Sequence, residues 1–193
     1  MKKIVLLVFF ISINIISIFS IPKPKSNNVG ALVGKVYVSL EDDWKTNWGG
    51  EMRSGEYYKG ILYLKNNETG KEYVINSTLD GLFYLLNLPT GNYTIVRFYY
   101  KYETGGGWFK IPSKLAIPIE ILPMKITTLK TIIIKRSLLL VDEKKHKKDA
   151  NETIQPMTQS VIRKDDVEEV KGLFQKIDRR NLWGSFEWNI INE

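Results

Sequence analysis

The chain has 193 residues, a formal net charge of +7, one histidine and no cysteine. The lack of cysteine excludes disulfide bonds and a thiol nucleophile, and one histidine cannot supply the three or four Cys/His ligands of a zinc site. Basic residues outnumber acidic ones by only 16 to 10 between residues 21 and 140 and form no cationic stripe, which argues against nucleic-acid binding.

The first twenty residues have the pattern of an export signal. Lys2 and Lys3 precede an apolar run over residues 4–19, and Ser20 supplies a small residue at its end. At about 16 residues this run is shorter than the ~20 needed to cross the hydrocarbon core of a bilayer. We therefore predict a cleaved signal peptide over residues 1–20 and a secreted, periplasmic or cell-envelope location. An uncleaved membrane anchor is the alternative.

A Pro/Ser/Asn-rich linker is predicted over residues 21–29, and strands follow it. Between residues 31 and 40 every second side chain is apolar or small, the period expected of a β-strand. A loop rich in glycine and charge covers residues 41–55. Residues 58–65 and 72–77 then flank an Asn-Asn-Glu-Thr-Gly turn, which predicts a hairpin.

The remaining predicted strands are rich in β-branched and aromatic residues. They cover residues 82–86, 93–102, 108–111, 115–122 and 125–141. Seven or eight short strands with no helical period between them are typical of a β-sandwich or barrel. We assign this domain to residues 30–141.

The composition changes after the predicted sandwich domain. Residues 142–160 are charged and polar and show no periodicity, so they are predicted to form a flexible linker. Residues 165–180 predict a helix, with Asp165 as the N-cap and Glu168 completing a capping box.

The predicted helix has one apolar stripe, formed by Val167, Val170, Leu173, Phe174 and Ile177. Alternation after it predicts a short terminal strand, so that residues 161–193 form a helix and a strand. This unit either packs on the sandwich or docks on a partner.

Residues 78–95 form the most informative motif in the chain. Asp80 and Gly81 supply a turn, and Phe83 and Leu85 point in one direction, toward a core. A second turn and a second strand follow. The motif resembles the core of the carboxypeptidase regulatory-like (prealbumin-like) domain and, more loosely, the B-type repeats of bacterial surface adhesins.

This resemblance covers residues 30–137 and implies a binding, spacer or accessory module without catalysis. The fold prediction is then all-β: a seven-stranded Greek-key sandwich (prealbumin-like) with a linker and a C-terminal helix plus short strand. The loop at 41–55 is longer than the family's, and the Thr–Asp–Gly segment is one residue shorter. An adhesin-type cross-link from Lys35 is not expected, because residues 125–136 include no Asn or Asp.

Residues suited to catalysis or metal binding are few. His146 stands between lysines in the predicted linker, where a solvated side chain is expected. Asp42 and Asp43 are neighbours on one loop, and such neighbours rarely face each other across a glycosidic bond. We therefore predict no enzyme activity, no cofactor and no metal. A hydrolase that uses Asp42 or Asp43 is a remote alternative.

Tryptophans on loops are the candidate ligand-binding residues. Trp44 and Trp48 lie in a Gly/Asp-rich segment, and Trp108 follows three glycines. We predict an exported, non-enzymatic binding or structural module of the cell envelope whose partner is an envelope protein or a glycan. The alternative is a carbohydrate-binding accessory protein that uses Trp44, Trp48 and Trp108. Membrane contact is expected only through an uncleaved signal segment.

Overall fold

The computed structural model describes residues 21–41, 44–45, 51–52, 55–104, 107–138 and 157–191. In this part of the chain the fold is mostly β, with two large sheets and one short helix. The predicted all-β, sandwich-like class is confirmed. The predicted signal peptide lies outside the described residues.

The elements follow one another along the chain as β1 (Val29–Leu40), β2 (Trp44–Lys45), β3 (Glu51–Met52), β4 (Gly55–Tyr57), β5 (Gly60–Asn66), β6 (Glu72–Asn76), β7 (Leu82–Pro89), β8 (Gly91–Thr104), β9 (Gly107–Ile121), β10 (Lys125–Leu129), β11 (Thr131–Leu138), β12 (Met157–Lys164), α1 (Val167–Ile177) and β13 (Glu187–Ile191). Within the described residues α1 is the one helix, and it lacks the length and hydropathy that a membrane span requires.

Strand β1 is the centre of the first sheet. On one side it pairs in antiparallel fashion with β7 and β4, and on the other it runs parallel to β10 and β11. Strands β13 and β12 lie alongside β10 and β11 and complete this sheet. The second sheet has the order β6-β5-β8-β9 and is antiparallel throughout. The predicted hairpin is its β5–β6 pair.

Two predicted strand boundaries differ from the structure. The two strands predicted between residues 108 and 122 are one strand, β9, although it contains Pro112 and Pro118. This strand lies at the edge of its sheet, where a missing N–H that points outward removes no ladder hydrogen bond. The strand predicted over residues 125–141 is divided at Lys130, because its register against β1 shifts there by one residue.

The main core lies between the two sheets. On β1, Leu32, Val36 and Val38 face this interior and are fully buried, as the alternation predicted. Phe83 reaches it from β7 and Phe98 from β8, and both are also fully buried. Each such side chain contributes about 1.5–3 kcal/mol through burial.

A second apolar cluster lies on the outer face of the first sheet. Helix α1 packs Val170 and Phe174 there, against Ala31 and Val33 of β1 and against Trp183. The predicted apolar stripe therefore faces the protein itself. Of the two alternatives for the C-terminal helix, the structure shows packing on the sandwich.

The C-terminal region differs from its predicted boundaries. Residues 157–160, predicted as linker, belong to β12, which pairs with β11 over its whole length. Helix α1 spans Val167–Ile177, which is shorter than the predicted 165–180. The chain turns after it because the buried Asp178 carboxylate accepts hydrogen bonds from the backbone N–H groups of the Leu182–Trp183 pair.

The predicted capping box at Asp165 and Glu168 is not formed. The N-cap is Asp166, and it makes no side-chain capping hydrogen bond. Its Oδ1 instead accepts from the backbone N–H of Thr131 at 3.2 Å, while Asp165 pairs with Lys130 at 3.6 Å. Both carboxylates are thus used to attach the helix start to the β10–β11 junction.

The predicted N-terminal linker is packed on the fold. Ile21 is 7% exposed and belongs to the outer cluster. The indole N–H of Trp183 donates to the carbonyl of Pro22 at 2.9 Å, and the Asn87 amide donates to the carbonyl of Lys23 at 3.2 Å. Side chains distant in sequence therefore bind the backbone of this segment.

Candidate functional site

The predicted tryptophans lie in different parts of the chain. The backbone of Trp44 is in β2, opposite Met52 of β3, and that of Trp108 is in β9, opposite Glu103 of β8. Trp48 and the side chains of the other two lie outside the described part. That the three tryptophans form one ligand site stays a prediction.

The side chains weighed above for catalysis or metal binding, Asp42, Asp43 and His146, lie outside the described residues. Glu41 is exposed, and its carboxylate lies 3.7 Å from the ammonium of Lys135 on β11. Across the described segments no group of three or more His, Cys, Asp or Glu side chains is arranged to hold a metal ion.

The two outer faces of the sandwich differ. Helix α1 covers the first sheet, whereas the second sheet turns several large side chains toward solvent. Leu62 and Leu64 of β5 point inward, so Tyr63 between them points outward. On β8, Phe98 is core and Tyr99 lies on the outer side.

These outward side chains form a contiguous patch, which we call the tyrosine–arginine face; its members are Tyr63, Glu72, Val74, Arg97 and Tyr99. Tyr63 lies opposite Val74 on one neighbouring strand and opposite Arg97 on the other. The guanidinium carbon of Arg97 is 4.3 Å from the centre of the Tyr63 ring. The Tyr63 and Tyr99 rings are 5.4 Å apart and nearly perpendicular.

The polar groups of this face are held in position by one ion pair. Arg97 Nη2 donates to Glu72 Oε2 at 2.7 Å, and both side chains are more than a third exposed. Arg97 Nε has no hydrogen-bond partner among the described residues. The tyrosine–arginine face thus presents aromatic rings, a planar cation and a carboxylate in one surface layer, a combination suited to binding a partially polar partner.

A second polar cluster joins strand β1 to helix α1 on the covered side. The Tyr37 and Tyr58 rings are 4.9 Å apart, and the Tyr58 hydroxyl donates to the Glu56 carboxylate. This hydrogen bond, together with burial, raises the pKa of Tyr58 to about 12. Lys35 Nζ lies 2.6 Å from Glu169 Oε1, and its hydrogen bond lowers the pKa of the Glu169 carboxyl group.

Only part of the tyrosine–arginine face was visible in the sequence. Alternation along a strand places every second member of the run from Phe98 to Tyr102 in the core, and Phe98 and Tyr100 are buried. Tyr63 was not singled out. The signal was present in the alternation of β5, but grouping Tyr63 with Arg97 requires the β5–β8 register, which no local pattern specifies.

No protein-family model matches this chain, and no curated protein matches it. Among solved structures, the chain is similar to one described as "a putative carbohydrate binding protein" from Pseudomonas aeruginosa. The two are 10% identical with a TM-score of 0.28, and the alignment covers 58% of this chain and 91% of the other. Similarity at this level assigns neither a family nor a function.

Proposed function

We propose that this chain is an exported, non-enzymatic binding or structural module of the cell envelope. The export pattern over residues 1–20 supports the compartment. The absence of cysteine from the whole sequence supports a module that depends on packing for its stability. The Glu72 carboxylate pairs with Arg97 on another strand, and the Glu169 carboxylate of the helix pairs with Lys35 of β1. Both ion pairs support a structural use of these charges.

We further propose that the module is a seven-stranded Greek-key sandwich of the carboxypeptidase regulatory-like type. If β10 and β11 are counted as one interrupted strand, β7, β1 and β10–β11 of the first sheet together with the four strands of the second sheet give seven strands, to which the first sheet adds β4, β12 and β13. The residues that carry the resemblance occupy fitting positions: Gly81 has φ +82° in the turn, and Phe83, Tyr93 and Ile95 are fully buried. Both observations support this finer proposal.

The proposed binding function rests on the tyrosine–arginine face. Tyr63, Tyr99 and Arg97 stand together on this face and are each only half-buried, and these residue types dominate the energetics of protein interfaces. On the opposite face of the sandwich, where we assign no partner, the chain covers the first sheet with its own helix, α1. The exposed face is therefore the surface we assign to the partner.

Binding of purified residues 21–193 to isolated envelope fractions tests this assignment. We expect Tyr99→Ala to weaken binding about tenfold or more, since truncating a central aromatic contact commonly costs above 1 kcal/mol. Leu79→Ala is the matched control, because Leu79 is 80% exposed in the turn before β7 and away from this face. Equal losses in the two variants, or no binding by the parent chain, would contradict the proposal.

Carbohydrate binding is the second candidate. A pyranose has an apolar C–H face that an aromatic ring covers, while its hydroxyl groups need hydrogen-bond partners. The half-buried Tyr63 and Tyr99 beside Arg97 and Glu72 favour it. In this reading Trp44, Trp48 and Trp108 extend the ligand surface. Glycan-array binding that is lost in Trp44→Ala and Trp48→Ala would support it, and no glycan binding at all would remove it.

The non-enzymatic part of the proposal has its own test. Purified residues 21–193 are assayed for glycosidase turnover against a panel of chromogenic glycosides, and we expect none above that of a boiled sample. Turnover that is abolished by Asp43→Asn would overturn this part of the proposal and would assign the loop carboxylates to catalysis.

A further inference from the structure

The C-terminal end of helix α1 lies beside the beginning of the described chain. Trp183 follows this helix end, and its indole N–H donates to the carbonyl of Pro22 at 2.9 Å. Ile21 belongs to the same buried cluster as Trp183 and Phe174 of α1. One end of the sandwich therefore joins the first described residues to the loop that follows the helix.

This end carries several exposed basic side chains, and we call their surface the cationic end; its members are Lys23, Lys25, Lys176, Arg179 and Arg180. Within the described residues none of them forms an ion pair with a carboxylate. The carboxylates of residues 176–191 are already engaged, since buried Asp178 accepts two backbone N–H groups and Glu187 pairs with Lys125. The positive charge of the cationic end is therefore not balanced by its own segment.

The charges at the two ends of α1 are used differently. In the first turn, Glu168 and Glu169 each pair with a lysine. A helix C-terminus attracts cations through the helix dipole, which accounts for the basic residues of the helix end itself. It does not account for Lys23 and Lys25, because these belong to a separate segment that Trp183 holds in place. The cationic end therefore combines charges from two segments that are distant in sequence.

The predicted export signal indicates which surface this end meets. Only Ser20 separates the apolar run over residues 4–19 from Ile21, and one residue spans at most about 3.6 Å. Ile21 is 7% exposed, so the packed fold begins there without a free linker. While the signal segment is in the bilayer, the cationic end therefore lies against the lipid headgroups. This step rests on the export proposed above.

We propose that the cationic end binds the anionic phospholipid headgroups of this membrane and keeps residues 21–193 at its surface after cleavage. Phosphate oxygens accept hydrogen bonds from guanidinium and ammonium groups. Each Lys or Arg held near an anionic bilayer adds to the attraction, which falls off within a Debye length of about 10 Å at 0.1 M salt. The tyrosine–arginine face belongs to the second sheet, so lipid and partner can be bound together.

Co-sedimentation of purified residues 21–193 with phospholipid vesicles tests this inference. At low ionic strength we expect binding to phosphatidylcholine vesicles that contain phosphatidylglycerol, and little binding to phosphatidylcholine alone. The double variant Arg179→Gln/Arg180→Gln should weaken binding about tenfold or more, because it removes two cations from the contact. Lys135→Gln/Lys164→Gln is the matched control. It removes the same charge near the end of β1 and the start of α1, and it should bind nearly as well as the parent.

Tyr99→Ala separates this inference from the partner binding proposed above. It should leave vesicle binding unchanged, since Tyr99 lies on the outer side of the second sheet. If the parent binds envelope fractions through Tyr99 but does not bind these vesicles, only the lipid inference fails. Equal binding by the two double variants, or binding that does not require phosphatidylglycerol, would also overturn it. An equal affinity for duplex DNA at the same ionic strength would identify a general polyanion surface and would overturn the assignment to lipid.

Discussion

At the scale of single residues, the alternation of side chains along each strand decides which atoms meet. Odd and even positions of β1 face different clusters, so Leu32 lies in the core between the sheets and Val33 lies under the helix. The same alternation separates Phe98 from Tyr99 and leaves Tyr99 on the tyrosine–arginine face. At one position of β1 a glycine leaves room for the ring of a neighbouring side chain.

Gly34 is the clearest case, and it leads to a prediction. A Cβ atom at this position would lie 2.5 Å from Cζ of Phe83, whose ring is fully buried. Because a packed core has no room for the ring to withdraw, Gly34→Ala should lower the free energy of unfolding by about 1–3 kcal/mol. Urea denaturation of residues 21–193 measures this change.

The control for this prediction is a glycine with free space around it. No atom lies within 4 Å of a Cβ built at Gly172 in α1, so Gly172→Ala should stabilise the protein by about 0.5–1 kcal/mol through helix propensity alone. The double variant Gly34→Ala/Phe83→Leu should recover part of the loss. A neutral Gly34→Ala would show that the Phe83 ring can move aside at little cost.

At the scale of elements, α1 is attached to the sandwich by both apolar packing and charge. Its apolar stripe covers β1, β7 and β10, while Glu169 on its first turn reaches Lys35 of β1. The Lys35 side chain is 11% exposed and that of Glu169 is 49% exposed, so solvent screens the pair only in part. The ion pair therefore contributes modestly, at about 0.5–1 kcal/mol.

This ion pair predicts a pH dependence of stability. The hydrogen bond from Lys35 lowers the pKa of the Glu169 carboxyl group below 4.5, so the folded state binds this proton more weakly than the unfolded chain does. The contribution is fully present above pH 4.5 and is lost as the pH falls through the lowered pKa. Acid conditions should thus loosen the contact between helix and sheet.

A double-mutant cycle with Glu169→Gln and Lys35→Met isolates this pair. The coupling free energy from urea denaturation should favour the folded state near neutral pH. It should shrink toward zero well below pH 4.5. Added salt at neutral pH should also reduce it. A coupling energy that does not change with pH would mean that the two side chains do not interact through the ionised carboxylate.

At the scale of the whole molecule, the two ends of the described part of the chain complete the fold. The C-terminal region adds two strands to the first sheet and a helix over its outer face. Trp183 then binds the backbone at Pro22, so the beginning and the end of the described chain are in contact. The predicted C-terminal unit therefore packs on the predicted sandwich domain through the outer cluster.

The packing of the C-terminal region on the first sheet predicts the outcome of a truncation. Residues 21–141 alone lose Val170, Phe174 and Trp183, which are at most 2% exposed and cover the second cluster. At about 1.5–3 kcal/mol for each side chain, the loss approaches the whole stability of an ordinary domain. We expect residues 21–141 to bind a hydrophobic dye and to unfold without a cooperative transition, whereas residues 21–193 unfold cooperatively. A cooperative transition in the truncated chain would show that the sandwich is autonomous.

The local patterns of the sequence determined much of this architecture. Alternation along β1 and the turn residues around the β5–β6 hairpin specify strands, because side-chain period and turn geometry are properties of a few adjacent residues. The stripe of α1 was visible for the same reason. The alternation of side chains along a strand also predicts which residues of the run from Phe98 to Tyr100 lie inside.

Only the tertiary structure decided where these elements meet. That Tyr63 lies beside Arg97, that Trp183 binds Pro22 and that β12 extends the sheet beside β11 all depend on contacts between residues far apart in the chain. Sequence patterns have periods of two or 3.6 residues and contain no information about register between distant strands. The inward and outward sides of each strand were thus readable from the sequence, while the surfaces that those sides build together became visible only in the folded molecule.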